Sequence, residues 1–303
     1  MSVGSGGESA SHAPVVQSKA VRPLGEQTTL VTGATDGLGR NVARELASAG
    51  ATVLLHGRSG RRLEETLREI RDATGNDRLR SYLADLSSLD QVRRLAEEVE
   101  QDHARLDVLV NNAGIGAGSR GSGRQESADG YELRFAVNYL APFLLTDLLL
   151  PLLRRSAPAR IVNVASAGQA PIDFHDVMLE RRYDGMRAYA QSKLAQVMFS
   201  FELAERLRAD GIDVTVNALH PASLMNTKMV YESFGRTMST VDEGVEATMR
   251  VATSPDLDGV SGRYFDRLRE GLAHPQAYDE KARRRLWALS EELVGLTAPA
   301  RPG

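Results

Sequence analysis

The chain contains no cysteine. Disulfides, zinc–thiolate sites and cysteine nucleophiles are thereby excluded, and no metal site is read from the remaining residues. Lysine is nearly absent too: only Lys19, Lys193, Lys228 and Lys281 occur among 37 basic residues, so a lysine inside a motif carries weight. Against 40 acidic residues the formal charge is −3. Nucleic-acid proteins hold phosphates with a surplus of Lys and Arg on one face, and this balance predicts no nucleic-acid partner. A long apolar run is also missing. The most apolar stretch, 139–153, is shorter than the roughly 20 residues a membrane span requires and contains Asp147 and Pro151, which predicts a buried helix and no membrane partner. Residues 1–27 are rich in Ser, Gly, Ala and Pro, with no apolar core to offset the entropy of ordering them, and are expected to form a flexible tail. They also lack the basic start and apolar core of a secretory signal. The cytoplasm is the expected location.

What remains is 303 residues, 42% of them hydrophobic, enough for one generous domain. From residue 28 onward, short apolar runs at 28–32, 51–56, 80–84, 106–110, 161–165 and 212–219 alternate with amphipathic stretches. The runs Thr29-Leu30-Val31, Val53-Leu54-Leu55 and Val108-Leu109-Val110 are apolar without alternation, as strands covered on both faces should be. Six strands separated by helices, with a seventh at 262–265, predict an α/β fold: a doubly wound parallel sheet of about seven strands flanked by helices. Residues 114–130 read as a surface loop.

The first strand runs into Thr32-Gly33-Ala34-Thr35-Asp36-Gly37-Leu38-Gly39, and a helix opens directly afterwards. In an open α/β sheet this is where a dinucleotide binds: glycines let the backbone approach the pyrophosphate, whose charge meets the N–H groups and positive dipole of the helix N-terminus. An acidic residue at the end of the second strand would accept the ribose hydroxyls of NAD. Here the sequence is His56-Gly57-Arg58-Ser59. A guanidinium that can pair with a 2′-phosphate replaces the carboxylate, so NADP(H) is expected over NAD(H), with NAD(H) possible.

Tyr189-Ala190-Gln191-Ser192-Lys193 falls in a helical stretch, so Tyr189 and Lys193 share one face. An ammonium near a phenol favours the phenolate, making the tyrosine a usable acid and base; the same spacing also suits an ordinary surface pair.

Taken together, TGATDGLG at 32–39, Asn111-Asn112-Ala113-Gly114, Ser166, and Tyr189 with Lys193 resemble the signature of the classical short-chain dehydrogenase/reductases. Pro171-Ile172-Asp173-Phe174, Glu180-Arg181-Arg182-Tyr183 and Arg285-Leu286-Trp287 with Leu289-Ser290-Glu291 resemble its retinol-dehydrogenase-like branch. The resemblance implies a single-domain Rossmann fold over 28–295, with 296–303 as a tail. It implies that Tyr189 exchanges the proton with the carbonyl oxygen, Ser166 hydrogen-bonds that oxygen, Lys193 holds the nicotinamide ribose and lowers the tyrosine pKa, and Asn138 holds a water that relays protons. It also implies a cofactor site formed by Gly33, Thr35, Asp36, Gly37, Leu38, Gly39, Arg58, Ser59, Asp85, Leu86, Asn112, Ala113, Gly114, Pro221, Leu224 and Thr227, together with Tyr189 and Lys193. The implied reaction interconverts a carbonyl and an alcohol on a small molecule. Relatives pair through helices like those at 131–153 and 187–208, so a homodimer or homotetramer is a family expectation.

Three departures from the pattern stand out. Ala222 follows Pro221 where the family usually has glycine, Thr227 stands one place late, and Asp36 occupies a position that is basic in many NADP-preferring members. Residues 222–240 are expected to form a substrate lid, and Leu224, Met225, Met229, Val230, Tyr231, Phe234 and Met238 suit a lipophilic or ring-containing substrate; ordinary helix packing would use the same residues. Two other readings fit the sequence less well. A nucleotide-sugar epimerase or dehydratase would need a different glycine spacing and a larger C-terminal domain, and a catalytically silent regulator would have no need of Ser166, Tyr189, Asn138 and Lys193 together.

Overall fold

The computed structural model describes residues 21–119 and 121–296. Eight strands form one sheet: β1 (Thr28–Val31), β2 (Thr52–Gly57), β3 (Leu79–Leu83), β4 (Val108–Asn111), β5 (Ala159–Val164), β6 (Val214–His220), β7 (Tyr264–Asp266) and β8 (Arg269–Glu270). Their spatial order is β3-β2-β1-β4-β5-β6-β7-β8. All pairings are parallel except β7 with β8. Chain order reverses between β1 and β4, which opens a crevice beyond their carboxyl ends. Strands β1, β4, β5 and β6 are buried at every position, which accounts for their unbroken apolar sequence.

Helices cover both faces. Helices α1 (Gly37–Ser48), α2 (Gly60–Thr74) and α8 (Val241–Thr253) enclose one apolar cluster with Leu46, Ile70 and Val251. Helices α3 (Leu89–Asp102), α5 (Ala141–Ser156), α6 (Gly185–Ala209) and α9 (Glu280–Leu293) enclose the other. Two short helices complete the set: α4 (Leu133–Phe135), and α7 (Lys228–Phe234) within the expected lid. The segment Leu133–Ser156 is long and apolar enough by composition to cross a membrane, but 78% of its most apolar window is buried inside the fold. It is continued from α4 into α5 by a π turn, Ala136–Leu140.

Helix α6 is buried on nearly every face, as a helix sandwiched between a sheet and other helices must be. Its outer side is closed by α9: Trp287 stacks on Phe199 at 5.9 Å and meets Phe143 edge-on at 5.0 Å between centroids, and Ser290 pairs with the Tyr139 hydroxyl at 2.6 Å. A buried ladder sets the depth of α5 and α6 against the sheet. Asn111 donates to Thr146 and Asn163 at 3.0 and 2.9 Å, and Asn163 donates to Ser200 at 2.8 Å. In a low-dielectric interior, losing these bonds would leave buried amide donors unpaired, so the ladder favours this register.

The flexible tail expected over 1–27 does not hold for 21–27. Positions 1–20 lie outside the described residues, but 21–27 are tied down: Arg22 reaches the Ser156 carbonyl at 3.3 Å and the buried Asp107 carboxylate at 3.5 Å, and Gln27 donates to the Arg22 carbonyl at 2.7 Å. A charge partner supplies here what composition lacked. At the other end Leu296 still packs on the core and donates its N–H to the Glu291 carbonyl at 2.9 Å; 297–303 lie outside the described residues. The eighth strand, two residues long, was not foreseen.

Phe143 is fully buried and touches the rings of Tyr139, Phe199 and Trp287. Phe143→Ala is expected to lower the unfolding free energy by about 3–5 kcal/mol, because the cavity between sheet-bound and C-terminal helices cannot collapse. Urea denaturation checks this, and a loss below about 1 kcal/mol would show that α9 does not depend on this ring.

Candidate active site

The glycine loop after β1 is shaped by contacts that exclude side chains. Gly33 has φ +67° and Gly37 φ +48°, values that suit glycine. A Cβ on Gly39 would lie 2.3 Å from both the Asn112 amide nitrogen and the Gly33 carbonyl oxygen. Asn112 donates its amide to the Thr32 carbonyl at 2.8 Å, while the Thr32 hydroxyl accepts the N–H groups of Asn112 and Ala113 at 3.0 Å each. The loop and the end of β4 are therefore one unit, with Thr32 a fastener that sequence reasoning passed over. Asp36 caps α1, accepting from Gly37 N–H at 2.8 Å; helix geometry leaves the Leu38 and Gly39 N–H groups without an intrahelical partner.

The second wall comes from β2 and β3. Arg58 is exposed and has no hydrogen bond or ion pair among the described residues, and Ser59 begins α2 without using its side chain as a cap. Arg62, not singled out in the sequence, donates to Asp36 at 2.9 Å and to the Thr35 carbonyl at 3.2 Å. The unexpected acid at 36 is thus neutralised from α2. Asp85 is half-buried, accepting from Ser87 N–H at 2.9 Å, and Leu86 beside it is buried. Thr227 caps α7, and its methyl group lies 3.1 Å from where a Gly37 Cβ would stand, so its one-residue displacement still brings it to the loop. Pro221 borders Gly244 of α8, and Leu224 adopts φ +48°.

At the chemical end, Ser166 follows β5 and Tyr189 and Lys193 lie on α6. Ser166 and Tyr189 come together at Gly168, where a Cβ would stand 3.6 Å from Ser166 Oγ and 4.0 Å from Tyr189 Cε1, and the Ser166 hydroxyl accepts the Gly168 N–H at 3.1 Å. Lys193 Nζ donates to the Val164 carbonyl and to Gln196 Oε1, both at 2.9 Å. Gly114 closes the group: a Cβ there would stand 3.2 Å from Asn138 Oδ1 and 3.5 Å from Lys193 Nζ. Asn138, on the π turn, accepts the Ile115 N–H at 2.8 Å and donates to the Ile115 carbonyl at 3.1 Å and Ser192 at 3.0 Å. Both N–H groups and one lone pair of Oδ1 are engaged, so the side chain fixes the 113–115 turn against α6.

Burial opposes the expected lowering of the Tyr189 pKa. Lys193 Nζ lies 5.9 Å from the Tyr189 ring centre, and burial raises the Tyr189 pKa against the lowering influence of the neighbouring Ser166 hydroxyl. Burial meanwhile lowers Lys193 from 10.5 to about 7. Both groups are desolvated with no opposite charge nearby, and each therefore favours its neutral form.

Behind Ser166, the Gln169 amide and the Tyr264 hydroxyl both donate to its carbonyl, at 2.9 and 3.1 Å, and Gln169 accepts the His274 N–H at 2.8 Å. These residues carry no motif and were not anticipated. In the lid, Met225 and Val230 are buried whereas Met229, Tyr231 and Met238 are exposed; the side chain of Phe234 lies outside the described residues.

The family model for short chain dehydrogenases matches residues 27–236. The chain belongs to the short-chain dehydrogenase family. It is 40% identical to mouse retinol dehydrogenase 13 over 295 residues, covering 91% of this chain and 86% of that protein, and 40% identical to human retinol dehydrogenase 14 over 297 residues, covering 89% and 87%. It is therefore a dehydrogenase/reductase of CH–OH or C=O groups, similar to the retinol-dehydrogenase-like branch. Among solved structures, a protein from Mycobacterium paratuberculosis superposes with TM-score 0.72 at 31% identity, covering 89% and 94% of the two chains. A short chain dehydrogenase from Escherichia coli CFT073, solved with NADPH, gives 0.65 at 27%, covering 80% and 97%.

A short-chain dehydrogenase binds a nicotinamide nucleotide, and three features of this chain fit one. The orphan N–H groups of α1 suit a pyrophosphate, the ammonium form of Lys193 carries a third N–H beyond the two already bonded that suits a ribose hydroxyl, and Arg58 is uncommitted.

Buried Lys193 makes a testable demand on stability. Its proton leaves near pH 7 in the folded state and near 10.5 in the unfolded chain. Between those values the unfolded state holds the extra proton, so stability rises with pH; below 7 the fold bears the full cost of the buried ammonium. Lys193→Met is expected to be more stable than the parent at pH 6.5 by about 1–3 kcal/mol, once the two lost hydrogen bonds are set against the relieved burial. The gap should close toward pH 10.5 in denaturant titrations. A variant less stable than the parent at pH 6.5 would show that the hydrogen bonds outweigh desolvation.

Proposed function

We propose that this short-chain dehydrogenase is an NADP(H)-dependent reductase or dehydrogenase that interconverts a carbonyl and an alcohol on a lipophilic or ring-containing small molecule. The observation that carries the reading is the meeting of Ser166 and Tyr189 at Gly168, where a Cβ would stand 3.6 Å from Ser166 Oγ and 4.0 Å from Tyr189 Cε1, with Lys193 Nζ 5.9 Å from the tyrosine ring centre. A regulator without turnover would not need that contact. A bound nicotinamide supplies or accepts the hydride. Tyr189 then gives its proton to the carbonyl oxygen, or takes one from the alcohol, and Ser166 hydrogen-bonds the same oxygen as charge develops on it. Lys193 holds the ribose with its free N–H, and a ribose oxygen there would favour the ammonium that the free protein disfavours.

NADP(H) is favoured because Arg58 and Ser59 stand at the end of β2 with unused side chains, where a carboxylate would repel a 2′-phosphate. The NADPH complex of the Escherichia coli relative supports this. Met225, Val230 and Met229 in the lid, and the names of the retinol dehydrogenases, support a lipophilic substrate. Pairing of copies through α5 and α6 belongs to the same proposal. Its support is a groove between α5, α6 and α9 lined by Leu150, Leu203 and Trp287.

The test is NADPH and NADH consumption over aldehydes and ketones from small aliphatic to polycyclic and retinoid compounds. Tyr189→Phe is expected to lower kcat by about 10²–10⁴-fold while nucleotide binding persists. A variant that turns over as fast as the parent would remove Tyr189 from the chemistry. Arg58→Ala is expected to reduce the preference for NADPH over NADH by about 10–100-fold, the range of a charged hydrogen bond. An unchanged ratio would place the 2′-phosphate elsewhere.

A further inference from the structure

His56 is 3% exposed near the end of β2, and the hydride chemistry does not use it. Its ring spans two neighbouring segments: Nδ1 accepts the Gly33 N–H at 3.2 Å, and Nε2 lies 3.0 Å from the Ala84 carbonyl oxygen. An amide N–H only donates and a carbonyl only accepts, so these contacts fix a neutral imidazole with its proton on Nε2. Burial favours that form, pushing the ring from 6.5 down to about 4 against the opposing effects of the Ala84 hydrogen bond and Asp85.

Backbone bonds run beside both ring contacts. The His56 carbonyl accepts the Ala34 N–H at 2.8 Å, and the Gly57 carbonyl accepts the Ala84 N–H at 3.1 Å. Gly33 opens the phosphate loop, and Ala84 leads directly into Asp85 and Leu86. The ring therefore sits between the two walls of the crevice, taking one hydrogen bond from each. The aliphatic side chains elsewhere in β2 could fill the same space but could not hold either wall.

We infer that His56 is a positioning residue for the nucleotide, a strut that sets the distance between the phosphate loop and the Ala84–Leu86 wall. The inference rests on the proposed nucleotide site. It predicts that losing the ring weakens nucleotide binding without impairing the hydride step, since Ser166, Tyr189 and Lys193 are anchored by α6 and β5 instead.

The experiment uses three substitutions in the full chain. His56→Leu fills the volume and makes neither bond, His56→Asn returns an acceptor near the Nδ1 position, and His56→Gln returns a donor toward Ala84. NADPH binding is read by fluorescence titration, and steady-state kinetics give KM for NADPH and kcat. Leaving the Gly33 N–H unpaired should raise the NADPH dissociation constant about 10-fold or more in His56→Leu. His56→Asn should recover more of that loss than His56→Gln, with KM for NADPH following the dissociation constant and kcat at saturation moving less than about threefold. Nitrogen NMR of the parent should show the proton of His56 on Nε2. If His56→Leu fails to fold, the Asn and Gln pair carry the comparison. Three results would overturn the inference: a folded Leu variant that binds NADPH as tightly as the parent, equal losses in Asn and Gln, or a proton found on Nδ1. A parent that binds neither nucleotide overturns the proposed function and this inference with it, whereas tight binding by parent and Leu variant alike overturns this inference alone.

Discussion

Two stretches of backbone approach so closely at Gly39 that no side chain fits between them, and the nucleotide end of the molecule depends on that approach. From where a Cβ would stand it is 2.3 Å to the Gly33 carbonyl and to the Asn112 amide, far inside van der Waals contact. The closeness lets Asn112 bond the Thr32 carbonyl while the Thr32 hydroxyl takes the next two N–H groups. It thereby fixes where residues 113 and 114 go. Gly114 in turn lies against Asn138 and Lys193. The phosphate loop thus sets the course of the chain as far as the turn at 113–114, while Lys193, which that turn meets, keeps its place from its bonds to Val164 and Gln196.

The chemical end works against the fold's own stability. A lysine that loses its proton near pH 7 is an ion the interior resists, and the two acceptors at 2.9 Å offset only part of that cost. Such a residue is tolerable because its helix is held elsewhere. Helix α6 runs 25 residues, buried along most of its length, pinned by Asn163 through Ser200 and closed by Trp287. Local inconsistency at a site, sustained by consistency around it, is a recurring feature of functional positions. The same desolvation that penalises Lys193 strengthens any hydrogen bond its remaining proton makes.

The sheet, its order of strand and helix, the glycine loop and the pairing of Tyr189 with Lys193 were legible in the sequence because each is a local matter. Strands buried on both faces need unbroken apolar runs, and a four-residue spacing on a helix fixes one face. What could not be read depends on partners distant in the chain. Residues 21–27 look disordered by composition until Asp107 meets Arg22. That Asn138 also braces the 113–115 turn becomes visible only when Ile115 and Ser192 meet its amide. The expected lowering of the Tyr189 pKa followed from proximity to an ammonium, yet burial, which spacing does not reveal, acts on both groups in the opposite sense. Asp36 seemed at odds with a phosphate site, and only the packing of α2 against the loop shows Arg62 neutralising it.

The family match ends at residue 236, but the wall behind the reacting hydroxyls is fastened from beyond it. Tyr264 and Gln169 hold the Ser166 carbonyl, His274 holds Gln169, Gln276 grips both the N–H and the carbonyl of Ile172 at 2.6 and 3.2 Å, and the Arg285 guanidinium lies 4.5 Å from the Phe174 ring centre. Tyr189 and Lys193 take their positions from α6 and its buried ladder, and the 166–176 segment takes its shape from 264–285. Changes in the C-terminal segment can therefore reshape the wall facing a substrate while leaving the proton donor and its lysine in place. Ser166 belongs to both systems, since its hydroxyl meets Tyr189 while its carbonyl is held from β7. It is the point at which substrate shape and proton transfer must agree, and the residue through which a C-terminal substitution would reach the rate of reaction.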